Sequence, residues 1–443
     1  MPGKKIFSLE FPLGLLIADN GYPDRTGKSA SLRNARYWNS MTVNLMRYID
    51  YWLGKPLCFL LSCVNASLKI FGLKKTGRKG TPKKILFIKL SELGALVLAY
   101  PLLKRAQEEC PGVKLFFVTF EKNRDIFALF GNIIEADNIL TIREDSVGVF
   151  VSDTFRVVRK MAKERVDIIF DLELFSRFTA ILTFLIRADK KTGFYNYTFE
   201  GLYRGNFLTH RIQYNPLLHI SKSYLSLWQT VKQEKKNSPE MSKKIKDKDI
   251  TLPKAQVASE VAKQIEGKLK EFGIVKENKL FLLNPGEGTL PLREWPLENF
   301  ITLSKRLLED PNNRIILVGT KSGHKKAELL CAGIRKRRCL NLVGQTSLPE
   351  LLSLFNLADA LICNDCGLAH LASLASIKKF VIFGPETPKV FGPLGKDKWI
   401  ICSELPCSPC LSALNNRDSA CKDNICLKII EPGDIHKLIQ KNV

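Results

Sequence analysis

The sequence predicts an α/β protein built of two parallel-sheet domains facing a cleft, with a basic extension ahead of them. Three observations carry this. Short apolar runs alternate with amphipathic stretches in two separate series, a polar aperiodic stretch divides the series, and 443 residues exceed what one compact core accommodates. Strands alternating with helices at this spacing form a parallel sheet covered on both faces. A hydrophobic content of 45% supports complete folding rather than disorder.

Residues 1–83 form the extension. Its apolar run, Leu57 to Phe71, is interrupted by Asn65 and Lys69 and broken at its start by Lys55-Pro56. A spanning helix needs about 20 predominantly apolar residues, more than this run offers. One reading is a helix lying in a membrane interface, followed by the basic cluster Lys74, Lys75, Arg78, Lys79, Lys83 and Lys84. The other is a helix packed on the domain surface ahead of a solvated linker. Met1 to Glu10 lacks the apolar core and cleavage site of a signal peptide. A cytoplasmic protein, peripheral on the inner face of the membrane, is therefore expected.

Residues 84–232 carry the first series. "KILFIKL", "KLFFVTF" and "VDIIFDLEL" read as buried strands; "GALVLAYPLLKRAQEEC", "FRVVRKMAKERV" and "FSRFTAILTFLI" read as helices by their apolar spacing. Residues 233–256, polar and highly charged, read as an exposed linker. Residues 257–443 carry the second series. Here "KLFLLNPGEG", "NRIILVGT", "DALICND" and "KKFVIFGP" are strands, and "LENFITLSKRLLED", "KKAELLCAGIRK", "LPELLSLFNLA" and "LAHLASLA" are helices.

The net charge of +24 implies an anionic partner, either nucleic acid or a phosphate-bearing lipid surface. The chain lacks an aromatic-interleaved basic strand face and a recognition-helix signature, so no nucleic-acid partner is expected. Of the twelve cysteines, Cys58, Cys63, Cys110, Cys331, Cys339, Cys363, Cys366 and Cys402 lie in apolar segments and read as small buried hydrophobes. The other four, Cys407, Cys410, Cys421 and Cys426, begin with a C-x2-C knuckle and suit a structural zinc site; free or redox-paired thiols are the alternative.

Open α/β sheets bind ligands at the carboxyl ends of their strands. That rule marks "LSELGA", "NPGEGTLPLREWP" and "NDCGLAH". In the last, Gly367 lets backbone approach a ligand, Asp365 caps a helix or bonds a hydroxyl, and His370 donates to a phosphate or sugar oxygen or is a partly buried helix residue. Arg293 suits bidentate contact with phosphate, or is a surface arginine beside a packed Trp295. "FGPETPKVFGP" reads as a rigid loop over a strand end.

From Lys84 to the C-terminus the order of these motifs closely resembles glycosyltransferase family 9, which includes the lipopolysaccharide heptosyltransferases. The resemblance implies a GT-B fold, with acceptor held by the first domain and nucleotide-sugar by the second. It implies an inverting, metal-independent transfer with no catalytic cofactor, an ADP-heptose donor and a lipid-linked oligosaccharide acceptor. The family's D-[ST]-G-x-x-H element matches Asp365, Gly367 and His370, with Cys366 in the small position. The implied donor-side set is Gly94, Thr289, Arg293, Asn364, Asp365, Gly367, Leu368 and His370.

Two departures stand out. The family's catalytic aspartate after the first strand falls on Ala95, which accepts no proton. Glu92 on the same loop, or Asp171 or Glu173 from "DLELF", then serves as base, or the protein binds donor without fast chemistry. Second, "GTKSGHKKAEL" carries no acid in the slot after Gly319 where relatives often hold the ribose.

Overall fold

The computed structural model describes residues 43–71, 80–195, 202–233, 244–286, 291–334, 338–415, 417 and 419–443. The basic residues Lys74, Lys75, Arg78 and Lys79, and Thr289, lie outside them.

Two six-stranded sheets, parallel throughout, organise the chain. The first contains β1 (Lys84–Ile88), β2 (Lys114–Phe120), β3 (Ile139–Ile142), β4 (Ile168–Asp171), β5 (Lys190–Tyr195) and β6 (His210–Gln213) in the order β3-β2-β1-β4-β5-β6. The second contains β7 (Lys279–Asn284), β8 (Asn313–Leu317), β9 (Cys339–Asn341), β10 (Ala360–Asn364), β11 (Lys378–Phe383) and β12 (Lys398–Cys402) in the order β12-β11-β10-β7-β8-β9. The second order, read from the other edge, repeats the first. Each is a doubly wound sheet whose topology reverses between its two central strands, β1/β4 and β7/β10.

The central strands are covered on both faces, so they read as continuous apolar runs. Ile85, Leu86, Phe87 and Ile88 are all fully buried, and β1 registers Ile85 against Leu115 on one side and Ile168 on the other. In the second sheet Leu361 pairs with Leu282 and Lys379. The flanking helices bury one stripe each. Leu297–Leu307 turns Phe300, Leu303, Ser304 and Leu307 inward, and Pro296 at its N-cap fixes the entry.

Several predicted elements shift. Strands β3, β6, β9 and β12 do not show as apolar runs, because they are short or lie at partly covered sheet edges, and β5, inside the sheet, is masked by its polar Lys190, Lys191 and Thr192. The helix expected at "LAHLASLA" is five residues long, Gly367–Leu371, and continues as a 3-10 turn. The stretch predicted as an exposed linker holds its apolar residues against the core: Ile245 is buried, Ile250 and Leu252 pack on the core, and the Ala255 N–H donates to the Leu374 carbonyl at 3.0 Å. Those few apolar side chains, hidden among lysines, outweigh the charged composition around them. Among the predicted buried cysteines, Cys63 and Cys402 are exposed.

The extension contributes helices Val43–Trp52 and Gly54–Ile70, with Pro56 in the first turn of the second, where its missing N–H costs nothing. They pack on helix Arg177–Leu185: Asp50 accepts from the Arg177 and Phe178 N–H groups at 2.9 and 2.8 Å, and Asn65 donates to the Asn206 carbonyl at 2.7 Å. Among the described residues no single helix is long and apolar enough to cross a membrane; these two, bent by 43°, reach that length and composition only as a pair. Their outer face exposes Trp52, Leu53, Phe59, Leu60, Ile70 and Phe71.

Candidate active site

The switch points of the two sheets face one another. After β1 the chain runs through Lys89, Leu90, Ser91 and Glu92 into helix Leu93–Glu109. Beside it β4 ends in Asp171 and leads to Glu173. The buried Glu173 carboxylate accepts from the Leu90 and Ser91 N–H groups at 2.8 and 2.9 Å and from Lys89 Nζ at 2.7 Å. Burial opposes its ionisation, but Lys89 and these donors win and hold its pKa below the ordinary value. Glu173 therefore splints the β1 loop. Asp171, fully buried, pairs with Arg204 and accepts from Thr179 Oγ1 at 3.2 Å; burial raises its pKa against the pull of Arg204. Of the three carboxylates read as possible bases, these two are thus committed to structural partners and only Glu92 faces the cleft.

Glu92 sits at φ 61°, a region that non-glycine residues rarely adopt, and its side chain is 46% exposed. It forms an ion pair with Arg417. Partial loss of solvent among the surrounding protein pushes the carboxyl up, but Arg417, Arg293 and Lys89 together pull its pKa down to about 2.

In the second domain β10 ends at Asn364 and Asp365. Asn364 Oδ1 accepts from the Trp295 N–H at 3.0 Å, which fixes the segment carrying Arg293 beside the strand end. The Arg293 guanidinium lies 2.6 Å from Glu386 Oε2 and 3.7 Å from Asp365 Oδ2. Burial raises the Asp365 pKa to about 6 and that of Glu386 to about 7, with Arg293 and Arg417 opposing both shifts. Burial lowers His370 to about 4, so its imidazole is neutral at physiological pH.

Among the described residues, five buried polar atoms here have no hydrogen-bond partner: Asn364 Nδ2, Asp365 Oδ2, His370 Nδ1, Arg293 Nε and Glu386 Oε1. Such atoms in a folded interior call for a ligand or ordered water.

Besides the Glu92–Arg417 pair, two further contacts bring the domains together at this point. A Cβ added to Gly94 would stand 2.4 Å from the His370 ring and 3.3 Å from Gly367 Cα, so only glycine lets the Leu93–Glu109 helix approach this closely. His219 Nε2 lies 2.9 Å from the Gly392 carbonyl.

The structure therefore gathers Gly94, Arg293, Asn364, Asp365, Gly367 and His370 where the two domains meet, with the more exposed Glu92 at the edge of the group. Leu368 instead points into the core, 6% exposed, and offers only backbone. Two residues at the site were not anticipated. Glu386 was hidden in "FGPETP", read as a rigid loop, although a lone acid after a strand end was the available signal. Arg417 lies in the cysteine-rich segment, 325 positions from its partner Glu92, and nothing local announced it.

The zinc expectation is not met: among the described residues no group of three or more His, Cys, Asp or Glu is arranged to hold a metal ion. Cys407, Cys410, Cys421 and Cys426 do line one cavity of about 50 Å³. Their sulfurs turn to other partners, Cys421 donating to the Asp423 carbonyl at 3.0 Å and Cys410 accepting from Ser419 Oγ at 3.4 Å.

Comparison with known proteins points one way. The chain is 30% identical over 161 residues to lipooligosaccharide heptosyltransferase 2 of Haemophilus ducreyi, covering 35% of this chain and 46% of that protein. It is 26% identical over 134 residues to lipopolysaccharide heptosyltransferase 2 of Escherichia coli, covering 30% and 38%. The matched segments thus span less than half of these curated relatives. The fold matches the structure of E. coli ADP-heptose LPS heptosyltransferase II at a TM-score of 0.61 and 18% identity, covering 81% of this chain and 98% of that one. A family 9 glycosyltransferase from Veillonella parvula gives 0.63 at 18% identity, covering 81% and 96%. The architecture is accordingly GT-B. The family profile described as glycosyltransferase family 9 (heptosyltransferase) matches residues 154–420, more than half of the sequence, and the chain belongs to that family.

Proposed function

We propose that the protein is an inverting, metal-independent glycosyltransferase that moves a heptose or related sugar from a nucleotide-diphosphate donor to a lipopolysaccharide-type acceptor. ADP-heptose is the favoured donor, as it is the one named for the E. coli heptosyltransferase II that shares the fold. The observation that carries this reading is the set of unpartnered polar atoms on Arg293, Asn364, Asp365 and His370 at the switch point of the second sheet. Arg293 neutralises charge as the bond between the anomeric carbon and the diphosphate oxygen breaks and that oxygen keeps the electron pair. Asp365 and the neutral His370 orient the sugar and diphosphate by hydrogen bonds. Glu92 takes the proton of the acceptor hydroxyl as its oxygen attacks from the opposite face.

A second reading has its own support. With Ala95 at the family's aspartate position and Arg417 holding Glu92 to a low pKa, the base is weak, as in a donor-binding protein of impaired turnover. Melting curves with a panel of nucleotide sugars and a transfer assay on lipopolysaccharide-type acceptor separate the two. The enzyme reading expects a rise in melting temperature with ADP-heptose, measurable transfer, and its loss in Glu92→Gln. Stabilisation without transfer in the unmutated protein supports the binding protein instead.

We further propose that the exposed apolar face of helices Val43–Trp52 and Gly54–Ile70 rests on the anionic inner surface of the cytoplasmic membrane. The second helix contains no carboxylate and carries Lys55 and Lys69. Sedimentation with phosphatidylglycerol vesicles should fall at least several-fold in Trp52→Ser/Phe59→Ser. Equal binding by both proteins would rule this face out.

A further inference from the structure

Arg417 enters the cleft from a segment that neither the strand-end rule nor the family motifs implicate. Its backbone N–H donates to the Ser412 carbonyl at 2.8 Å, and its guanidinium lies over the Phe391 ring, 5.2 Å from the centroid. From there it pairs with Glu92 on the first domain, and its Nε lies 3.8 Å from Glu386 Oε2. That same oxygen is the one held by Arg293 at 2.6 Å. Two guanidinium groups therefore flank one buried carboxylate oxygen, and among the described residues Glu386 Oε1 beside them has no hydrogen-bond donor. Both side chains are largely enclosed, Arg293 at 16% and Arg417 at 19% exposure.

We propose that Arg417 is a second cationic arm for the donor's diphosphate, and that the diphosphate and Glu92 compete for it. Resting on the donor assignment above, this adds a residue and a coupling to it. A guanidinium binds phosphate oxygens as readily as carboxylate, in the same planar fork geometry. A diphosphate seated against Arg293 lies beside the Glu386 oxygen that Arg417 already approaches. Transfer of Arg417 from Glu92 to that anion leaves the Glu92 carboxylate without its main counter-charge. Its proton affinity then rises toward that of an ordinary carboxylate, and it becomes a more effective base once donor is in place. Donor binding and base activation are thus one event, and the cysteine-rich segment becomes a functional part of the cleft.

Titration calorimetry with ADP, and separately with inorganic pyrophosphate, tests the competition without reference to turnover. The proposal expects Arg417→Ala to weaken both ligands about tenfold. Glu92→Gln, which removes the competitor, should tighten both about threefold or more, and the gain should vanish in Glu92→Gln/Arg417→Ala. Unchanged or weaker binding in Glu92→Gln overturns the proposal, and so does unchanged binding in Arg417→Ala. If Arg417→Ala does not fold, the Glu92→Gln arm decides alone. Loss of binding in Arg293→Ala with no effect at Arg417 or Glu92 leaves the donor site standing and removes only this inference. Failure of the unmutated protein to bind either ligand removes both.

Discussion

The two domains use the same strand order and place acids at the carboxyl ends of their strands, yet treat them in opposite ways. After β1 and β4, Glu173 receives several donors from Lys89, Leu90 and Ser91, and Asp171 is sealed with Arg204. After β10 and β11, Asp365 and Glu386 share Arg293, and each keeps an oxygen that accepts no hydrogen bond from the described residues. A saturated carboxylate shapes a loop; an unsaturated one beside a cation, in a cleft, is available to a ligand. The difference explains why position at a strand end alone is a poor guide to a base. Asp171 and Glu173 sit at strand ends as Asp365 does, and are occupied.

The sharpest way to break this contrast is Arg293→Ala. It removes the cation that Asp365 and Glu386 share, and truncating one partner of a buried charged cluster costs about 3 kcal/mol of ligand affinity. Donor binding by calorimetry should fall roughly 100-fold. A change below threefold would place Arg293 outside the donor site. On the saturated side, Glu173→Ala leaves Lys89 buried and unpaired and should cost about 3 kcal/mol of folding stability, read as a lower denaturant midpoint. A midpoint equal to that of the unmutated protein would show that the splint carries no weight.

Gly94→Ala probes the contact between the two regions. The new Cβ meets the His370 ring, so the domains must part, and overpacking of this kind should weaken donor binding about tenfold with little change in melting temperature. Unaltered binding would mean that the cleft does not close at this point.

The smallest effect concerns pH. Asp365 and Glu386 keep their protons to about 6 and about 7, above the ordinary values of 3.8 and 4.5. Between those limits the folded chain binds more protons than the unfolded one. Their contribution to stability is full below about pH 4 and is lost as pH rises through 7. An incoming diphosphate should likewise favour the protonated forms, so binding of an ADP-sugar, whose doubly esterified diphosphate does not titrate in this range, should weaken about threefold between pH 6 and pH 8. Binding that strengthens over this range contradicts the assignment.

The sequence disclosed most of what depends on local pattern. The central strands, buried on both faces, stand out as runs such as Ile85–Ile88, and the motif Asp365, Gly367, His370 lies where a strand meets a turn. Edge strands such as Cys339–Asn341 were not legible, because partial exposure removes the apolar signal. Glu173 and Asp171 read as candidate bases because their partners come from Lys89 and Arg204, and pairing across a sheet leaves no trace in spacing. Arg417 reads as part of a cysteine cluster for the same reason.

One measurement bears most directly on the central assignment: a crystal structure of the protein with ADP bound. The diphosphate should lie within about 3 Å of Arg293 and against the turn from Asp365 to His370, facing Gly94. Density for the diphosphate elsewhere, with the polar atoms of Asn364, Asp365 and His370 satisfied by solvent alone, would contradict it.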